Sequence, residues 1–307
     1  MSSRAVYVAL QQFCEEDENP LRLLKEAGFQ VRRNDRGRRL RKEEIPEALG
    51  DSAAVVAGVE PYDASVLEAL PSLRCISRCG VGTDSIDLEA AKRRHVAVLT
   101  TAEEVVEPVA QLTVSFILAL ARNLPLHLRE LSAGQWKKHT GRLLSEWTVG
   151  LVGFGRIGRA VERCLRPFGP AVLVSDPQAE QGSLPPGVKL CGLETLLERS
   201  DVVSLHAGWR PDEGVLIGKK ELERMKAGSF LVNTSRGYLL DEGALHAALL
   251  SGRLAGAALD VFREEPYSGP LAQLPQVILT PHVASLTRAS RAAMELRAAR
   301  NLVEFFQ

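Results

Sequence analysis

The sequence predicts an α/β protein built from doubly wound parallel sheets, and three observations carry that expectation. Short aliphatic runs alternate with helical patterns along nearly the whole chain, as parallel strands joined by crossover helices require. One such run, residues 148–152, opens directly into Gly153-Phe154-Gly155-Arg156-Ile157-Gly158. At 307 residues the chain has the length of about two ordinary domains.

In chain order, residues 5–10 predict a strand, 21–27 a helical face closed by Gly28, and 29–32 a second strand. A helix near 43–49, a strand at 53–57, a helix at 64–69 and a strand at 74–77 follow. That last strand runs into Arg78-Cys79-Gly80-Val81-Gly82-Thr83-Asp84. Two glycines at a strand's carboxyl edge can expose successive amides to a carboxylate; the plainer reading is a turn capped by Asp84 or Asp87. A strand at 96–99 closes the first unit. Residues 103–122 then predict one long helix anchored by Val109, Leu112, Phe116 and Leu120 and ended by Pro125. It suits a domain linker, an oligomer contact or a buried core helix. The polar segment holding Trp136, Lys137, Lys138 and His139 follows, with that histidine expected on the surface.

The glycine-rich turn is the centre of the chain. Gly153 permits a tight turn, Gly155 lets a pyrophosphate approach the backbone, and Gly158 lets helix and strand pack closely. Ile157, Val161, Cys164 and Leu165 share one face of the following helix, and 171–174 form a second strand ending at Ser175 and Asp176. Asp176 stands 18 positions after Gly158, where a carboxylate can accept from ribose hydroxyls. It favours NAD over NADP, since a 2′-phosphate about 4 Å away would be repelled by roughly 4 kcal/mol per charge pair at an effective dielectric near 20.

Residues 177–187 predict a loop and 193–197 the start of a helix. Strands at 202–205, 230–232, 254–259 and 277–279 end at His206, at Asn233-Thr234-Ser235-Arg236-Gly237, at Asp260 and at Thr280-Pro281-His282. Helices at 219–225 and from Asp241 to Leu250 lie between them. Parallel strands share one carboxyl edge, so His206, Arg236, Asp260 and His282 are expected to face the nicotinamide end of the cofactor. A final helix over 285–306 is expected to return to the first unit and make it discontinuous.

Lys plus Arg and Asp plus Glu both number 38, so no net charge draws the chain to nucleic acid or an anionic membrane. Residues 32–42 hold six Arg and one Lys and read as a solvated, partly mobile loop. Cys14, Cys75, Cys79, Cys164 and Cys191 are odd in number and lack CxxC spacing, so they read as reduced core thiols of a cytoplasmic protein, and no metal site is expected. Neither a signal sequence nor a membrane span is expected.

Reduction of a ketone needs a hydride donor, a cation that fixes the carboxylate and polarises the oxygen, and an acid. Arg236 suits the second role and His282 the third. A carboxylate beside His282 would favour its protonated form, and Glu264 and Glu265 are equal candidates from the residues alone.

GFGRIG with Asp176, LVNTSRG, ALDVFREEP and LTPHVAS, in that order, together with RCGVGTDSIDLEAA and VAQLTVSFILALARNLP, resemble the D-isomer-specific 2-hydroxyacid dehydrogenases. Within them the chain looks closest to the D-3-phosphoglycerate dehydrogenase branch without a C-terminal regulatory domain. The resemblance implies a Rossmann-like NAD-binding domain, residues 102–283, inserted into a flavodoxin-like substrate domain, residues 1–101 and 284–307, with a cleft between them and a homodimer built through the long helix. It implies that Arg236 binds substrate, that His282 is the acid/base, and that Glu265 orients and charges it. Val81, Gly153, Gly155, Arg156, Ile157, Gly158, Asp176, His206, Ala207, Thr234, Ser235, Arg236, Asp260, His282 and Ser285 then line the cofactor. Arg78, Gly80, Val81 and Gly82, with Arg236 and His282, bind substrate.

The chain departs from that pattern in several places. Ala57 replaces a phosphate-binding Arg, although Arg78 remains at the second such position, Ala102-Glu103-Glu104-Val105 replaces a PGAN-like turn, and Gln111 replaces the common Glu of VAE. His206-Ala207-Gly208-Trp209-Arg210 lacks the usual proline of HxPxT, and Tyr238 replaces a small residue. The expected activity is an NAD-dependent interconversion of a small D-2-hydroxy acid and its 2-keto acid, of phosphoglycerate, hydroxypyruvate or glyoxylate type. The alternatives are an NADH-binding, non-catalytic sensor resembling the corepressors of this fold, and a formate- or phosphite-oxidising relative.

Overall fold

A computed structural model describes residues 4–208 and 214–307. The chain forms two compact units: Met1–Val105 with Ser285–Gln307, and Val106–Ala284. The departure noted at Trp209 and Arg210 lies outside the described residues.

The first unit holds strands β1 (Arg4–Val8), β2 (Phe29–Arg33), β3 (Ala54–Ala57), β4 (Cys75–Arg78) and β5 (Ala97–Thr100) in the order β2-β1-β3-β4-β5, all parallel. That is the flavodoxin-like order. Its helices are α1 (Asn19–Glu26), α2 (Ile45–Leu49), α3 (Ala64–Glu68) and α4 (Leu88–Arg93). Asp63 and Asp87 cap α3 and α4, each accepting from the amide three residues on. Helices cover the sheet, so β3 has no exposed residue and reads AVVA without alternation.

In the second unit α5 (Val106–Ala121) and α6 (Leu124–Ser132) precede β6 (Thr148–Val152), α7 (Arg156–Leu165), β7 (Ala171–Ser175), β8 (Val188–Leu190), α8 (Leu193–Arg199) and β9 (Val202–Leu205). Then come α9 (Lys219–Arg224), β10 (Ser229–Asn233), α10 (Glu242–Leu250), β11 (Leu254–Leu259) and β12 (Val277–Leu279). The parallel sheet has the order β12-β11-β10-β9-β6-β7-β8. Counted from β6 this is the doubly wound 3-2-1-4-5-6 order with one strand added, whose switch point lies between β6 and β9. The last helix, α11 (Arg288–Phe306), belongs to the first unit, packs on α1 and β4, and is capped by the Thr287 hydroxyl.

Four expectations need correction. Pro125 does not end the long helix: Asn123, in the left-handed region at φ 53°, breaks it, and Pro125 sits in the first turn of α6, where a missing amide costs nothing. The 67° bend leaves no single helix long and apolar enough to cross a membrane among the described residues. His139 is not surface decoration, because its ring lies 2.7 Å from Glu130 Oε2 and packs beside His127. The basic stretch is pinned rather than mobile: Arg36 and Arg38 bind Glu44, Arg32 reaches the Leu49 carbonyl, and Arg33 reaches the Phe13 carbonyl. Those partners hold the Glu44 carboxyl down at about 2, the Arg38 hydrogen bond contributing most. Of the five free cysteines, Cys75 and Cys79 are core residues, whereas Cys14, Cys164 and Cys191 are half-buried.

Candidate active site

β6 feeds the glycine turn, and each glycine meets a different constraint. Gly153 has φ +93°, and a Cβ there would lie 2.5 Å from the Ala207 amide. At Gly158 a Cβ would lie 2.4 Å from the Gly153 carbonyl, so the helix can start only if this residue is bare. Gly155 faces open space, with nothing within 4 Å of its added Cβ. α7 begins just after it, so the first amides of a ten-residue helix border that space.

A cavity of about 1310 Å³ opens there, bordered by Gly153, Gly155, Asp176, Cys191, His206 and Ala207. Cys191 and its neighbour Gly192 follow β8, a strand absent from the sequence expectation. The Asp176 carboxylate accepts from the Phe154 amide at 2.6 Å and from the Gln178 amide at 2.8 Å, so it braces the glycine turn from the end of β7. Open room at Gly155, helix amides beside it and a carboxylate at the next strand end fit a dinucleotide.

Beyond β9, His206 borders that cavity. Its Nε2 shares a hydrogen bond of 2.9 Å with the Ser204 hydroxyl, while Nδ1 is closed off without a partner. Desolvation pushes its pKa down to about 4, so this imidazole stays neutral.

The loop after β10 is held by its own side chains. Asn233 donates to the Arg236 carbonyl at 2.9 Å and accepts from the Ser235 amide, and the Ser235 hydroxyl reaches the Ala207 carbonyl at 2.7 Å. The Thr234 hydroxyl meets that of Thr113 on α5 at 2.8 Å, a contact that no sequence pattern announced. At Gly237 a Cβ would lie 2.0 Å from the Phe262 carbonyl carbon, so glycine lets the Arg236 loop pack backbone to backbone on the segment after β11.

Asp260 departs from the expectation that it faces the cofactor. It is fully buried, and its carboxylate accepts from the Thr280 hydroxyl at 2.5 Å, the Val283 amide at 2.8 Å and the Ala284 amide at 2.9 Å. The Asp260 carbonyl takes the His282 amide at 2.9 Å. This frame holds His282 in the left-handed region, φ 55°, which costs a residue with a Cβ on the order of 1–2 kcal/mol.

His282 Nδ1 lies 3.0 Å from Glu265 Oε2, while Glu265 Oε1 accepts from the Phe262 amide at 3.1 Å. Glu265 is therefore the glutamate that reaches the ring. Burial works against its ionisation, but the His282 hydrogen bond and charge, the Phe262 amide and the Arg236 charge outweigh it and hold the carboxyl below the usual range. A carboxylate only accepts, so Nδ1 carries the proton and Nε2 is the nitrogen left for chemistry.

Arg78, Gly80, Val81, Gly82 and Ser285 belong to the first unit. The Gly80 amide is committed to Thr101 Oγ1 at 2.7 Å, and the Thr101 amide returns to the Gly80 carbonyl at 3.0 Å. The Gly80 amide is therefore not available to a substrate carboxylate, and this glycine has a different task. Its φ is +136°, and a Cβ there would lie 1.4 Å from Arg78 Nη1, so its bareness lets the guanidinium fold over the loop.

Two wound sheets, a glycine turn answered by Asp176 and a buttressed imidazole define an NAD-linked dehydrogenase. Residues 114–284 match the family model for the D-isomer specific 2-hydroxyacid dehydrogenase, NAD binding domain, and the chain belongs to that family. It is 39% identical over 274 residues to a glyoxylate reductase of Korarchaeum cryptofilum, covering 86% of this chain and 82% of that one. It is 37% identical over 272 residues to a D-3-phosphoglycerate dehydrogenase of Archaeoglobus fulgidus, covering 86% of this chain but 51% of that one. The crystal structure of a glyoxylate reductase from Paecilomyes thermophila superposes with a TM-score of 0.88 at 29% identity, covering 98% of this chain and 95% of that one. The protein is an NAD-dependent D-2-hydroxyacid dehydrogenase, and these relatives support an enzyme over the sensor alternative.

Proposed function

We propose that the enzyme interconverts a small 2-keto acid of the glyoxylate or hydroxypyruvate type and its D-2-hydroxy acid, with reduction as the working direction. The observation that carries this reading is the 3.0 Å pair of Glu265 and His282, which leaves one imidazole nitrogen free to move a proton. Bound NADH supplies the hydride. Arg236 fixes the substrate carboxylate and draws electron density toward the carbonyl oxygen. As the carbonyl carbon gains the hydride, His282 gives the Nε2 proton to the oxygen, and Glu265 holds the ring through Nδ1. Asp260 and Asn233 position these groups without touching substrate.

The test is NADH oxidation with glyoxylate, hydroxypyruvate and pyruvate, followed by chiral analysis of the product. Binding of NADH without oxidation of any of them would remove the reading.

A homodimer and a cytoplasmic location complete it. α5 is largely buried within its own unit, whereas Leu128 and Leu131 on α6, with Trp136 and Leu143, are 59–82% exposed. An apolar surface of that kind suits a second copy of the chain. Light scattering at micromolar concentration should give twice the monomer mass. Five unpaired cysteines fit a reducing compartment, which localisation of the tagged chain checks.

A further inference from the structure

Among the described residues, Thr113 is the one polar side chain buried on α5; its buried neighbours Val109, Ala110, Val114, Phe116 and Ile117 are apolar. It is fully buried, and valine would fill the same space without bringing a hydroxyl that must find partners. The hydroxyl has two. It donates to the Val109 carbonyl one turn back at 2.8 Å, and it lies 2.8 Å from the Thr234 hydroxyl. A hydroxyl carries one proton and a carbonyl only accepts, so the Thr113 proton is committed to Val109. The proton between the two threonines therefore belongs to Thr234, and Thr113 is its acceptor. Bonding to the preceding turn alone satisfies a helical threonine. What the pair adds is a fixed direction for the Thr234 side chain.

Thr234 stands two residues before Arg236 in the loop after β10, and the other ties of that loop run along the carboxyl edge of the sheet. Asn233 closes the loop on itself through the Arg236 carbonyl and the Ser235 amide. Ser235 reaches the Ala207 carbonyl beyond β9, and Gly237 lies against Phe262 beyond β11. Thr113 ties the loop in a different direction, to a helix that packs on β10 and β11. The Arg236 Nη1 donates to the Ser235 carbonyl at 2.8 Å, so a displacement of the 234–235 backbone carries the guanidinium with it.

We propose that Thr113 is a positioning residue for the substrate-binding arginine: through the Thr234 hydroxyl it holds the 233–237 loop where the Arg236 guanidinium meets the keto acid's carboxylate. This rests on the substrate reading given above. A guanidinium grips a carboxylate through paired, directional bonds, and a shift of about 1 Å in such a group is enough to cost on the order of a hundredfold in rate.

The experiment measures NADH oxidation with glyoxylate and hydroxypyruvate, together with ADP-ribose affinity and Tm, in wild type and variants. Thr113→Val keeps the shape and removes the acceptor, so kcat/KM for the keto acid should fall by at least about tenfold, mainly through KM. ADP-ribose, which ends before the nicotinamide, should bind within about twofold of wild type, because the glycine turn and Asp176 follow other strands. Thr113→Ser keeps the hydroxyl and should restore kcat/KM to within about threefold of wild type. Added to Thr234→Val, Thr113→Val should cost less than about twofold more, since the partner is already gone. Thr113→Ala is the second variant without a hydroxyl should the valine fail to fold. Unaltered kcat/KM in the hydroxyl-free variants, or losses that simply add in the double variant, overturn the proposal. Equal losses of ADP-ribose affinity and keto-acid turnover mark a merely structural residue and overturn it too. A wild type that oxidises NADH with neither acid nor with pyruvate overturns the substrate reading, and this role falls with it.

Discussion

Glu265 Oε2 and His282 Nδ1 lie 3.0 Å apart, brought together by turns that follow two neighbouring strands, β11 and β12. Glu265→Gln retains the shape and loses the carboxylate that accepts from Nδ1, so turnover should fall by at least about tenfold. His282→Ala and Arg236→Ala should each lower turnover by at least about a hundredfold. Steady-state rates between pH 5 and 9 check all three.

Gly155 and Gly158 should fail differently when each becomes alanine. Gly158→Ala drives a methyl into the Gly153 carbonyl and should cost about 1–3 kcal/mol of stability, read as a lower Tm. Gly155→Ala meets nothing within 4 Å, so its Tm should hold while NADH affinity, measured by fluorescence titration, falls at least tenfold. Equal Tm losses would contradict the division of labour.

Asp176→Ala should narrow the preference for NADH over NADPH at least tenfold, since the carboxylate is the repelling group for a 2′-phosphate. Part of the change should come from weaker NADH binding, because Phe154 and Gln178 lose their acceptor. Kinetics with both cofactors separate the two effects.

His206 predicts a loss of stability in acid. Its folded pKa is lowered to about 4 by burial, against about 6.5 unfolded, so the unfolded chain binds more protons between those values. Stability should therefore fall as pH drops from about 6.5 to about 4, by up to about 3 kcal/mol from this group. Urea unfolding at pH 7 and pH 4.5 measures it, and His206→Asn should flatten the difference. A wild type equally stable at both values would contradict the prediction.

Strands and their carboxyl-edge residues were legible because fully buried parallel strands leave continuous apolar runs. β8 was not: it is three residues long and sits in a Pro- and Gly-rich stretch that reads as loop. Pro125 misled because proline both stops a helix and starts one, and the left-handed Asn123 that decides between them carries no pattern of its own. The glycines, Arg236 and His282 could be picked out by chemistry and order. That the Gly80 amide belongs to Thr101, that Asp260 faces inward and that His206 pairs with Ser204 depends on partners or on the packing of the sheet, which residue types do not reveal.

The interleaving of the two units also has a consequence for synthesis. Residues 106–284 form an uninterrupted stretch that can assemble before α11 has been made. Its companion waits for α11, which packs on α1 and β4. The nascent polypeptide thus carries an unfinished apolar surface until α11 emerges, and chaperone protection of the first unit should outlast that of the second.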